Sequence, residues 1–202
     1  MLQARSLLWV CRSLLCSLFL LTSTAEIEVN AVTLNVVPPI TESLTEVAGD
    51  KPRKVMLVSS TGGHFRGLQE LEGYWKDCDR VWVTFRSGTT EAALAGENVY
   101  WAWGPTNRNI GNLLKNLKMS VSVVWKERPD MVLTTGAGVA VPFILMGKLL
   151  GAQTVFVESI TRVTTLSLSA KLVRPCLDTL YVRWPQLHKL YPKTTLIPSR
   201  LM

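Results

Sequence analysis

The sequence predicts an α/β protein, a Rossmann-like parallel sheet with helices on both faces. Three observations carry this. From Lys54 onward, short β-rich runs alternate with helix-length segments. The first run, Val55-Met56-Leu57-Val58, opens directly into the small, glycine-bearing turn Ser59-Ser60-Thr61-Gly62-Gly63-His64. A later run opens into a second such turn, Thr134-Thr135-Gly136-Ala137-Gly138. Parallel strands need long crossovers, usually helical, so this rhythm is that of repeated βαβ units.

Strands are expected over residues 54–59, 80–85, 99–103, 131–134, 154–157 and 179–183. Each is rich in β-branched or aromatic residues. Helices are expected over residues 65–75, 89–96, 109–128, 139–150 and 162–173. In the third, Ile110, Leu113, Leu114, Leu117, Val121 and Val124 recur at helical spacing, with Lys115 and Lys118 off the stripe. The stripe is expected to face the core, and its flank is left for solvent or a membrane surface.

With 202 residues, 48% hydrophobic and 18% charged, the chain is expected to hold one compact domain over 53–202 behind an N-terminal extension. The net charge of +7 is compatible with nucleic acid, an anionic membrane or a phosphate-bearing substrate. No arginine-rich stripe or zinc-ligand spacing supports nucleic acid. Cys11, Cys16, Cys78 and Cys176 form no C-x-x-C pair, so neither a metal site nor a disulfide framework is indicated and a reducing compartment is expected.

Residues 1–25 differ in kind. Leu7 to Leu21 is apolar but interrupted by Arg12, and it falls short of the roughly 20 residues that cross a bilayer. It reads as a signal-anchor or membrane-dipping helix, as a secretory signal ending at Ser23-Thr24-Ala25, or as a mis-assigned start. Residues 26–52 are polar, carry Pro38-Pro39 and have no period, which is the pattern of a linker.

In an open parallel sheet, ligands gather beyond the carboxyl ends of the strands. Three turns there are unusual. The Ser60-Thr61-Gly62-Gly63 and Thr135-Gly136-Ala137-Gly138 turns each feed a helix start, where backbone N–H groups favour an anion; two such cradles on one edge suggest a diphosphate. The third turn, Val157-Glu158-Ser159, places a carboxylate on the same edge. His64 either caps its helix or stands where a hydroxyl beside a bound anion is deprotonated. Glu158 is likewise either a cap or part of the site. A dinucleotide-binding module fits less well. Arg86 lies about 20 residues beyond the first turn, where a 2′-phosphate partner is expected, but Gly62-Gly63-His64-Phe65-Arg66-Gly67 is not G-x-G-x-x-G.

These turns, with Pro142, the stretch from Val157 to Leu172 and Tyr181-Val182-Arg183-Trp184-Pro185, resemble one family. It is that of the acceptor-side, membrane-associated subunit of the two-subunit UDP-N-acetylglucosaminyltransferase of asparagine-linked glycosylation, subunit fourteen, and of its bacterial exopolysaccharide relatives. The resemblance runs over residues 54–197. Arg86 to Thr90 and Gly104 to Asn109 look closer to the bacterial branch.

The resemblance implies the N-terminal, acceptor half of a GT-B glycosyltransferase, active only with a separate small subunit that binds the UDP-sugar. The implied reaction moves a sugar, with inversion, onto a polyprenyl-diphosphate-linked glycan. His64 is then the base and Glu158 orients the acceptor sugar or His64. Ser60, Thr61, Gly62, Gly63, Thr135, Gly136, Ala137, Gly138, Ser159 and Arg162 hold the acceptor and its diphosphate. No cofactor or metal is implied, because helix N-termini carry the phosphate charge. Trp184 and Leu187 are expected at the partner interface. A membrane-associated domain facing the cytoplasm follows, at a bacterial inner membrane in preference to the endoplasmic reticulum. Arg5 and Arg12 favour the cytoplasmic side, so a full span would carry the domain away from UDP-sugars, and a dipping anchor avoids this. The alternative is a non-catalytic membrane scaffold that recruits a glycosyltransferase.

Overall fold

The computed structural model describes residues 54–106 and 109–197. The expected anchor over 1–25 and linker over 26–52 lie outside the described residues. The chain runs β1 (Lys54–Val58), α1 (Gly63–Gln69), α2 (Glu72–Trp75), β2 (Asp79–Phe85), α3 (Gly88–Ala93), β3 (Val99–Ala102), α4 (Ile110–Glu127), β4 (Met131–Thr134), α5 (Ala140–Leu149), β5 (Gln153–Val157), α6 (Leu168–Val173), a 3₁₀ turn (Arg174–Cys176), β6 (Thr179–Val182), α7 (Pro185–Leu190) and β7 (Thr195–Leu196).

The seven strands form one sheet in the order β3-β2-β1-β4-β5-β6-β7, and each described pairing is parallel. Alternation along β1 sends Val55 and Leu57 to one face and Met56 and Val58 to the other, and all four are fully buried. On the first face lie Phe65 and Leu68 of α1, Tyr74 and Trp75 of α2, and Trp82 of β2. On the second lie Val123 and Val124 of α4, Phe143 and Ile144 of α5, and Ala170 and Val173 of α6. Burying a Phe or Leu side chain completely contributes about 1.5–3 kcal/mol, so both layers hold the sheet. Helix α5 approaches closely. A Cβ on Gly147 would come within 2.6 Å of Val132 Cγ2, so only glycine permits this spacing.

Helix ends follow side-chain chemistry. Ser87 and Thr90 form a reciprocal cap at the start of α3, Asn109 Oδ1 accepts from Asn112 N at 3.0 Å at the start of α4, and Ser167 Oγ accepts from Ala170 N at 3.2 Å before α6.

The structure corrects the expectation for α4. Its stripe of Ile110, Leu114, Leu117, Val121 and Trp125 faces outward, with Ile110 73% exposed and Trp125 61% exposed. Only Val124 of the expected core set is buried outright, and Leu113 is half-buried. Asn116, Ser120 and Glu127 turn inward instead. Asn116 accepts from Trp103 N and donates to Trp103 O, both at 2.9 Å, satisfying the backbone just beyond edge strand β3. Glu127 accepts from Lys54 Nζ at 2.7 Å and from Tyr100 OH at 2.6 Å. Burial pushes the Glu127 carboxyl up, but the hydrogen bonds from Lys54 and Tyr100 and the Lys54 charge outweigh it and leave its pKa below the usual value. Three polar side chains with specific partners thus fix which face turns inward.

Candidate functional site

The strand order reverses between β1 and β4: the chain leaves β1 toward β2 and β3, then returns to add β4 on the other side. The turns after β1 and β4 therefore flank the topological switch point, where parallel sheets open a crevice.

Hydrogen bonds stitch the two turns together. Thr134 Oγ1 donates to Val58 O at 2.6 Å and accepts from Gly136 N at 3.0 Å. Thr135 Oγ1 donates to the His64 carbonyl at 2.5 Å, and Nδ1 of His64 lies 2.8 Å from the Thr135 carbonyl. A carbonyl only accepts, so Nδ1 carries a proton and donates it, and in the neutral ring Nε2 is left with its lone pair. The imidazole is thus tied to the second turn and does not cap its own helix.

Gly136 has φ +114°, and a Cβ there would sit 3.1 Å from His64 Cε1 and 3.3 Å from Phe156 Cζ. Glycine at this position makes room for the ring. Ala137 also holds a positive φ, +79°, unusual for a residue with a side chain and confined to this turn and Arg128 among described non-glycine residues. Neither Gly62 before α1 nor Val139 before α5 supplies a side-chain cap, so the first-turn N–H groups lack that competitor.

The structure brings Ser60, Thr61, Gly62, Gly63 and His64 together with Thr135, Gly136, Ala137 and Gly138. Glu158, Ser159 and Arg162 lie on the neighbouring β5–α6 loop. Glu158 is buried, and both its oxygens are taken by backbone: Oε1 accepts from Ser159 N at 3.0 Å and Oε2 from Ser167 N at 2.8 Å. No hydrogen bond joins it to His64 among the described residues. Its geometry is that of a clamp closing the loop from 159 to 167. Ser159 Oγ accepts from Thr161 N at 3.3 Å within the loop, and Arg162 is exposed. Leu187, expected at a partner interface, is fully buried, whereas Trp184 is half-buried and donates Nε1 to Ile160 O at 2.6 Å.

Two contributors lie outside the residues that the resemblance assigns to the site. Thr134 anchors the second turn, and the cue was a hydroxyl at the end of an apolar strand. Thr106 packs where a Cβ on Gly138 would fall, 2.8 Å from its Oγ1, so the approach to α4 abuts the second turn. No described group of three His, Cys, Asp or Glu residues could hold a metal ion. An Asp-x-Asp pair, Asp77 and Asp79, lies at the amino end of β2, on the opposite edge from the glycine turns.

The fold and its edge define the class, a Rossmann-like α/β domain of the kind found in GT-B glycosyltransferases. It superimposes on the crystal structure of Acinetobacter baumannii MurG with a TM-score of 0.54 at 18% identity, covering 73% of this chain and 45% of that one. A glycosyltransferase from Rickettsia africae gives 0.54 at 17% identity, covering 72% and 42%. The UDP complex of Staphylococcus aureus MnaA gives 0.54 at 15%, covering 73% and 43%.

Residues 105–199 match the family model described as oligosaccharide biosynthesis protein Alg14 like. The chain is 43% identical over 81 residues to the mouse UDP-N-acetylglucosamine transferase subunit ALG14, covering 37% of each protein. The human subunit is 38% identical over 87 residues, covering 40% of each. The Schizosaccharomyces pombe subunit is 40% identical over 86 residues, covering 39% of this chain and 41% of that protein. The matched part thus spans about two fifths of these curated relatives, from 37% to 41%. All three are eukaryotic and leave open the choice between bacterial inner membrane and endoplasmic reticulum.

Proposed function

We propose that this chain is the acceptor-binding, membrane-associating subunit of an inverting glycosyltransferase, working with a separate small subunit that holds the UDP-sugar. The observation that carries this is the His64 ring, held through Nδ1 by the Thr135 carbonyl with Nε2 available between two glycine turns. In the proposed step the acceptor hydroxyl oxygen attacks the anomeric carbon of the donor sugar while Nε2 takes the hydroxyl proton. The bond from that carbon to UDP breaks, and UDP leaves with the electron pair. A polyprenyl-diphosphate-linked glycan is the acceptor, its diphosphate resting on the N–H groups of the Gly62-Gly63 and Gly136–Gly138 turns. Glu158 acts as a positioning residue by fixing the loop from 159 to 167.

The outward face of α4 supports the membrane assignment. Ile110, Leu114, Leu117, Val121 and Trp125 form one apolar line beside Lys118, and the only acid on this helix, Glu127, is buried. Apolar and basic without exposed acid is the pattern of a helix lying in an anionic interface. Ile110 begins at the edge that carries the glycine turns, so a docked α4 brings them to the headgroup layer. Among the described residues no helix is long and apolar enough to cross a membrane.

The test is reconstitution with the donor-binding subunit. His64→Ala is expected to slow the chemical step by roughly 10²-fold or more while complex formation survives. Turnover by the single chain, or unchanged turnover of the variant, would overturn the reading. A chain starting near Lys51 is expected to bind anionic vesicles in a salt-sensitive way, each basic residue at the surface contributing about 1 kcal/mol.

A further inference from the structure

Beside the glycine turns, two arginines share one carboxylate. Tyr181 of β6 points into the core beneath α1, so Arg183, two residues on, leans toward the same face. There its Nη2 lies 3.5 Å from Glu70 Oε2. The Arg183 side chain is only 13% exposed, and its Nε is buried with no partner. From within α1, Arg66 reaches the other oxygen of Glu70 at 4.0 Å. The first contact is a hydrogen bond at its outer limit and the second an ion pair at its outer limit, and neither is a two-point pairing. One negative charge stands against two positive ones.

A guanidinium does not shed its proton in a protein, so Arg183 keeps its charge where it is buried. A buried donor without an acceptor is unfavourable, and the planar fork of five donors matches the oxygens of a phosphate group. Arg183 follows the carboxyl end of β6, on the sheet edge that also carries the glycine turns, whereas Arg66 leaves α1 on a different face from His64; Gly67 of the same helix packs on Thr135 of the second turn, a Cβ there falling 3.3 Å from Thr135 Cγ2. The cluster therefore reaches the sheet edge that carries the glycine turns through Arg183, and it adds a net positive charge that the turns themselves lack.

We propose that Arg183 and Arg66 form the charged receptor for a diphosphate, and that Glu70 is an internal competitor which the ligand displaces from Arg183. This rests on the reading that a diphosphate-bearing substrate enters the crevice. The diphosphate belongs to the lipid-linked acceptor or to the sugar nucleotide, and the chemistry recognised is the same.

The experiment measures inorganic pyrophosphate binding to the full chain by calorimetry, each variant having first been shown to melt cooperatively. Arg183→Gln is expected to weaken binding roughly 10-fold or more. Glu70→Gln is expected to tighten it several-fold, and the gain should vanish in the double variant. Unchanged affinity in both single variants, or weaker binding in Glu70→Gln, overturns the proposal. Should Arg183→Gln fail to fold, Glu70→Gln carries the test alone, since Glu70 is half-exposed.

In the reconstituted pair, a rise in KM for the polyprenyl-diphosphate acceptor alone assigns the receptor to the acceptor, and a rise for the UDP-sugar alone assigns it to the donor. The pyrophosphate measurement needs no turnover. It therefore stands if His64→Ala shows the proposed chemistry to be wrong, and the receptor falls alone if His64→Ala behaves as expected and pyrophosphate binding does not change.

Discussion

Replacing Gly136 with alanine tests whether the second glycine turn positions the imidazole. The new side chain meets two penalties. At φ +114° an L-residue is strained by about 1–3 kcal/mol. The added methyl also lies 3.1 Å from His64 Cε1, 3.3 Å from His64 Nδ1 and 3.3 Å from Phe156 Cζ, tighter than ordinary contact. Phe156 is fully buried and cannot retreat, so the half-buried imidazole yields and its 2.8 Å bond to the Thr135 carbonyl lengthens. Losing much of that bond adds about 0.5–1.5 kcal/mol, giving a stability loss of about 2–4 kcal/mol. Misplacing a reacting group by about 1 Å costs on the order of 10²-fold in rate. Urea unfolding reads the first quantity, and turnover of the reconstituted pair at a temperature where the variant is fully folded reads the second. Gly96→Ala is the control, with φ +86° and open space around its Cβ site; it should lose stability by strain alone and keep full turnover per folded molecule. If Gly136→Ala keeps full turnover, the turn does not position His64.

Glu158→Gln replaces one accepting oxygen with a donor facing a backbone N–H. It should cost about 1–3 kcal/mol and speed proteolysis between 159 and 167, while lowering turnover less than His64→Ala; an equal loss of turnover would give Glu158 a part in the chemistry. Thr84 is fully buried on β2 with an unpartnered hydroxyl, so Thr84→Val should raise stability by about 1 kcal/mol, checked by a higher urea midpoint. The folded pKa of Glu127 is depressed below 4.5, so its contribution to stability is fully present above that value and is lost as pH falls through the folded pKa. Glu127→Gln should therefore flatten the acid limb of a stability–pH profile below about pH 4.5, and an unchanged acid limb would contradict the assignment.

Most of the fold was legible because six strands announce themselves as compact apolar runs. The seventh, Thr195–Leu196, is two residues long and has no period to read, and α7 is a single Pro-started turn and a half. The expected helix over 65–75 breaks into two, with Leu71 buried between them. The expected start of a helix at Arg162 is displaced to Leu168. Glu158 holds the Ser167 N–H, and the Ser167 hydroxyl caps the helix only there. The orientation of α4 was misread because hydropathy does not encode where Asn116 and Glu127 find partners. At the site, the two glycine turns could be found from spacing. The tautomer of His64 could not, since it depends on a carbonyl 71 residues away in sequence. The membership of Glu158 in a loop clamp likewise depends on backbone N–H groups whose positions exist only after folding.

The strand order has a consequence for how the chain is made. As it leaves the ribosome, β1, β2 and β3 can pair from one short stretch, but the other side of β1 stays open until residues 131–134 emerge. During that interval an open strand edge rich in apolar residues coexists with the apolar line along α4, a combination that invites association with other chains. Once β4 docks, β5, β6 and β7 join in the order of synthesis, each on the edge its predecessor has just completed. The sheet therefore matures outward in one direction, and His64 acquires its partner at Thr135 at the same moment that the vulnerable edge closes.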